Sequence, residues 1–168
     1  KILKFKANKF LVAVSGGPDS LALAAMCKAL ETSNKKKKFY YIHVNHGIRK
    51  NSYSESKSVK KILKKQHILL KIVNNKKQIL NNIQHNARKL RYSLFNKECK
   101  KKKINIILTG HHKDDQIETF LIRLSRGSGV QGLSAMNMTS ILDSKIKIFR
   151  PFLGENKKSL ILISKKVF

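Results

Sequence analysis

The chain has 168 residues, 41% of them hydrophobic, which suits one compact domain and leaves no room for two full ones. Thirty-seven Lys and Arg against nine Asp and Glu give a formal charge of +28, an imbalance that points to a polyanionic partner such as nucleic acid, although drift toward AT-rich codons would produce the same Lys, Asn and Ile bias. Cys27 and Cys99 lie too far apart for a Cys-x-x-Cys metal or redox motif and form no disulfide framework, which fits a reducing cytoplasm.

In chain order, the apolar run from Phe10 to Val14 predicts a strand, too short for a signal-peptide core, and ends at Gly16 and Gly17. Ser20 to Leu30 is Ala/Leu-rich and reads as a helix. A second strand is expected over Phe39 to Val44, then a polar loop from Asn45 to Ser54, a helix carrying Val59, Ile62 and Leu63, and a strand from Ile68 to Val73. Ile83 to Cys99 predicts a third helix and Ile104 to Thr109 a strand. A helix from about Asp114 to Leu124, a glycine-rich loop and a last strand from Ile146 to Phe149 follow, with Pro151 blocking continuation.

The lysine runs, Lys35 to Lys38 among them, read as solvated loop or helix ends. No stretch is long enough to span a membrane. Strands alternate with helices and are continuously apolar, so the expected fold is α/β: a doubly wound, mostly parallel sheet with helices on both faces. Ligands in such sheets bind beyond the carboxyl ends of the strands, here after Val14, Val44 and Thr109.

The first of these places holds Ser15-Gly16-Gly17-Pro18-Asp19-Ser20, where a helix start favours an anion. The glycines let phosphate oxygens approach the backbone, Pro18 fits the first helical turn, Ser15 and Ser20 can donate hydroxyls, and Asp19 can hold the magnesium of a nucleotide. Ser-Gly-Gly alone would be no more than a turn with a helix cap. The whole hexapeptide, which lacks the Gly-Lys-Ser/Thr ending of a Walker loop, resembles the pyrophosphate (PP) loop of the N-type ATP pyrophosphatases. That resemblance implies ATP as substrate and adenylation of a carbonyl oxygen.

Thr109 to Thr119, with His111-His112-Lys113-Asp114-Asp115-Gln116-Ile117-Glu118, and Arg123 to Met136 resemble the tRNA(Ile)-lysidine synthetase family. Ile42 to Arg49, Ala87 to Tyr92 and Ile148 to Leu153 add to the match, which runs in order along nearly the whole chain. The resemblance implies a ligase that adenylates C2 of the wobble cytidine in tRNA(Ile) with a CAU anticodon, then attaches free L-lysine with loss of AMP. It also implies His43 and Val44 beside the adenosine, and it allows a homodimer. Gln84 stands where a glutamate is common, the match fades after Leu153, and the family's C-terminal tRNA-binding domains are absent. The expectation is one PP-loop domain over residues 1–168, incomplete at its C-terminal end.

The expected catalytic set is Asp19, Asp115 and Arg88, with lysine held by Asp115, Glu118 and Arg91. Arg88 and Arg91, three apart on a helix, can meet a phosphate or a carboxylate, or form a basic surface stripe. Asp114 or Asp115 is expected to cap the helix, since the His111, His112, Asp114 and Asp115 spacing matches no usual zinc motif. His43 reads as a buried, hydrogen-bonded histidine and Cys27 as core. The loop from Arg126 to Gly132 is a connector or a mobile cover over the site. Two rivals remain: a tRNA thiolase of the same superfamily, and a noncatalytic basic RNA-binding fragment.

Overall fold

The computed structural model describes residues 1–48, 51–75, 81–127, 129 and 135–168. Arg49, at the end of the Ile42 to Arg49 segment, and most of the Arg126 to Gly132 loop lie outside the described residues.

Lys9–Ala13 forms β1, Pro18–Ser33 α1, Lys38–Asn45 β2, Ser52–Lys65 α2, Leu70–Asn74 β3 and Ile83–Lys102 α3. Ile106–Leu108 follows as β4, Lys113–Ser125 as α4, Thr139–Asp143 as β5, Ile146–Phe149 as β6 and Lys157–Val167 as α5. Among the described residues the strands make one sheet in the order β3-β2-β1-β4-β6-β5, parallel except for the β5–β6 pair. This is the expected doubly wound α/β architecture. From β1 the chain winds toward β2 and β3, then returns to β4 on the other side. The sheet therefore reverses its order between β1 and β4, and a crevice opens at their carboxyl ends.

Alternate residues of β1 enter opposite cores, as the pleat requires. Phe10 and Val12 face the side that holds Leu21, Leu23, Leu63 and Leu160, whereas Leu11 joins Ile42, Phe95, Cys99 and Ile107. Phe10 is fully buried and stacks on Phe39 at 5.2 Å, so it anchors the first core. A side chain buried to this degree contributes about 1.5–3 kcal/mol. Cys27 is core, as expected.

Two elements exceed the sequence reading. β5 forms an antiparallel edge, joined to β6 by a turn at Ser144 and Lys145, and none of its residues is buried, so no apolar run marks it. α5 buries Leu160 and packs Ile163 against the first core. The lysine runs are also not uniformly solvated. Lys37 is buried, and its Nζ donates to Phe5 O and Ala7 O, both at 2.8 Å, and to Asn8 Oδ1 at 3.4 Å. It staples the segment before β1 to the loop before β2.

Candidate active site

The segment leaving β1 is a loop closed on itself by one hydroxyl. Ser20 Oγ accepts from Ser15 N and Gly16 N, both at 3.1 Å, and donates to Gly17 O at 2.9 Å. Ser20 thus braces the loop from within, which leaves Ser15 as its exposed hydroxyl. Gly16 takes φ +99°, and a Cβ there would stand 2.6 Å from Val59 Cγ2, so both backbone and packing require glycine. Gly17 caps α1 and Pro18 occupies its first turn, which directs the helix N-terminus toward the crevice.

The end of β4 meets this loop closely. A Cβ on Gly110 would lie 3.0 Å from Asp19 O and 3.2 Å from Ser20 N, so the start of α1 can rest against β4 only where a side chain is missing. His112, not an aspartate, then caps α4: its Nδ1 accepts from Asp114 N at 3.2 Å, while Asp115 Oδ2 accepts from His112 N at 2.8 Å. The expected cap, Asp114 or Asp115, is corrected by two or three positions. The spacing of a capping box was present in His112-x-x-Asp115, but the box normally opens on Ser or Thr, and this concealed it.

The crevice is a cavity of about 430 Å³. Ser15, Asp19 and Ser20 line it from the loop, His43 and Val44 from β2, Arg91 and Tyr92 from α3, and His111 and Asp115 from the segment after β4. The structure thus gathers most of the residues singled out in the sequence, with Gly16, Gly17 and Pro18 forming the loop itself. Two lie outside the lining. Arg88 is exposed with its guanidinium over the Tyr92 ring at 5.2 Å, and Glu118 is exposed one turn along α4.

His43 is buried as expected, its Nδ1 donating to Val14 O at 2.8 Å and its Nε2 3.0 Å from Ser56 Oγ. Burial holds its pKa below the usual histidine value. His111 is pushed down to about 4, first by burial and then by the Arg150 guanidinium, so its ring is neutral near pH 7. Arg150, which the sequence reading did not single out, is itself buried, with Nη1 donating to Asn137 O at 2.8 Å and Ser140 Oγ at 3.0 Å. Arg91 Nε donates to His46 Nε2 at 3.3 Å and ties α3 to the end of β2.

Among the described residues no group of three or more His, Cys, Asp or Glu side chains is placed to hold a metal ion. One carboxylate oxygen nevertheless fits a cation: Asp19 Oδ1 is buried with no hydrogen-bond partner among the described residues. Magnesium commonly takes one or two carboxylates and completes its shell with phosphate oxygens and water.

A doubly wound sheet with a glycine loop and a helix start at its switch point defines an α/β domain built to hold a phosphate-bearing ligand. The chain belongs to the PP-loop domain family, whose pattern it matches over residues 1–167. It is 42% identical over 158 residues to the tRNA(Ile)-lysidine synthase of Wolbachia pipientis wMel, covering 93% of this chain and 36% of that protein. It is 41% identical over 175 residues to the enzyme of the same name from Buchnera aphidicola subsp. Acyrthosiphon pisum, covering 98% and 37%. The chain therefore spans little more than a third of the length of these relatives.

Solved structures share the fold. The U34-tRNA thiolase NcsA from Methanococcus maripaludis, solved with its [4Fe-4S] cluster, superposes with a TM-score of 0.77 at 21% identity, over 96% of this chain and 59% of that one. The NH3-dependent NAD synthetase from Campylobacter jejuni does so with a TM-score of 0.58 at 15% identity, over 98% and 66%. Among the described residues no helix is long and apolar enough to cross a membrane.

Proposed function

We propose that this chain is the ATP-binding, adenylating domain of a tRNA(Ile)-lysidine synthase. The observation that carries the reading is the convergence of the Ser15 to Ser20 loop, Asp19 and Asp115 on one cavity at the switch point of the sheet. The named relatives, similar along nearly the whole chain, support the choice of substrate. The cytoplasm, where tRNA is modified, follows from the same reading.

In this mechanism the loop N–H groups and the α1 N-terminus hold the ATP phosphates and stabilise the departing pyrophosphate. Asp19 holds magnesium, which when bound would neutralise charge on the phosphate oxygens. His43 and Val44 flank the adenosine. O2 of the wobble cytidine of a CAU-anticodon tRNA(Ile) attacks in line at the α phosphate with loss of pyrophosphate, and the amine of free L-lysine then displaces AMP. Asp115, with Glu118 on the adjoining turn, receives the ammonium groups, and Arg88 and Arg91 receive the carboxylate or a phosphate. Neither cysteine suits sulfur transfer: burial pushes the Cys27 thiol above its usual range and Cys99 up to about 12.

Incorporation of labelled lysine into tRNA, with pyrophosphate release that depends on that tRNA, tests the assignment. Asp115→Asn or Glu118→Gln should raise the lysine requirement about tenfold, equivalent to about 1.4 kcal/mol, with little change in ATP affinity at saturating magnesium. A lysine requirement unaltered in both variants would place the amine elsewhere, and sulfur rather than lysine incorporation would replace this reading with the thiolase one.

A further inference from the structure

The structure assigns a second task to His112: it is a positioning residue that couples Asp19 to Asp115, so that the cation-bearing end of the cleft and its amine-binding end respond to each other. The inference rests on the function proposed above for these two carboxylates.

His112 is 3% exposed and stands behind the cavity, so it acts through other side chains. Its tautomer is set by the helix cap. Nδ1 accepts from Asp114 N and carries no proton, which leaves the N–H on Nε2. That Nε2 lies 3.5 Å from Asp19 Oδ2 and 3.6 Å from Asp115 Oδ2. Both separations exceed the usual reach of an N–H···O bond, about 3.2 Å, so the N–H bonds neither acid as it stands and lies almost equally far from both.

The acids differ in freedom. Asp115 Oδ2 is also anchored by His112 N at 2.8 Å, whereas Asp19 Oδ1 has no hydrogen-bond partner among the described residues. The backbone of Asp19 packs closely on Gly110 and that of Asp115 is tied into the helix cap, so the choice between the acids falls to side-chain rotation and charge. A cation on Asp19 would offset its charge, leaving the His112 N–H to turn to Asp115 and hold the carboxylate that meets the amine. An amine bound at Asp115 would then alter cation binding at Asp19 by the same factor as the cation alters amine binding, and removing the Asp115 charge would shift cation binding as well.

A cap alone does not account for a histidine. Ser, Thr, Asp and Asn satisfy a helix start better, and the cap uses only one ring nitrogen. Histidine differs from them in its second nitrogen, and here that nitrogen faces the two acids.

Magnesium-dependent ATP binding, measured by calorimetry on the chain with neither tRNA nor lysine, tests the coupling apart from lysidine chemistry. Asp115→Asn should change the magnesium requirement for ATP binding about fivefold or more, although the residue is not a proposed nucleotide ligand. In His112→Asn, whose amide oxygen keeps the cap but whose shorter side chain cannot face both acids, the same Asp115→Asn change should have less than about a twofold effect, with the melting temperature held near the parent value. His112→Ser, also competent to cap, replaces the Asn variant if that one melts early. No effect of Asp115→Asn in the parent, or an undiminished effect in the capped His112 variants, overturns the coupling but leaves the functional reading intact. Absence of magnesium-dependent ATP binding in the parent overturns both.

Discussion

Asp19→Asn should lower pyrophosphate release at saturating tRNA, ATP and magnesium by about 100-fold or more, the scale seen when a group that stabilises transition-state charge is removed. The fold should survive. Gly17 caps α1, so the Asp19 carboxylate contributes only the charge of an acidic residue in a first turn, about 0.3–1 kcal/mol. A large loss of turnover beside a small change in melting temperature is thus the expected pair of results. Unchanged turnover would remove Asp19 from the site, and a collapse in melting temperature would make it structural.

Gly16→Ala should act on both quantities at once. The left-handed backbone at φ +99° costs an alanine about 1–2 kcal/mol, and driving its methyl into Val59 Cγ2 costs about 1–3 kcal/mol more. Their sum is a large part of the 5–15 kcal/mol that holds a typical domain together. Loop and helix α2 would be pushed apart, so ATP affinity should fall with stability. Val59→Ala separates the causes: in the double variant the steric part disappears and the backbone part remains, so the two substitutions combine to less than their sum. Strict additivity in urea unfolding would mean that the overlap is relieved without cost.

Legibility in the sequence followed burial. The central strands announced themselves as apolar runs because helices cover both faces, and the loop after β1 was readable because glycine, proline and serine each have a distinct task there. β5 was not legible, since an edge strand with no buried residue has no apolar signature. Nor was the close approach at Gly110, because a glycine that admits the backbone of a distant segment looks like any strand end. His112 stood in view as a titratable residue beside two acids, but its cap and its second nitrogen are facts of three dimensions. Arg150 was passed over for a similar reason: the residue before a proline gives no sign that it will be buried with its charge acting on His111.

The buried Lys37 divides the basic charge into two kinds. The cations around it in the same run are open to exchange: a glutamine or arginine at Lys35, Lys36 or Lys38 alters solvated charge and stability by no more than about 0.5 kcal/mol. Lys37→Met would instead strand two carbonyl oxygens and an amide oxygen that now share one ammonium group, at about 1–3 kcal/mol for each left without water. Neutralising the surface lysines one at a time therefore probes what the charge is for, while neutralising Lys37 probes only whether the chain stays folded.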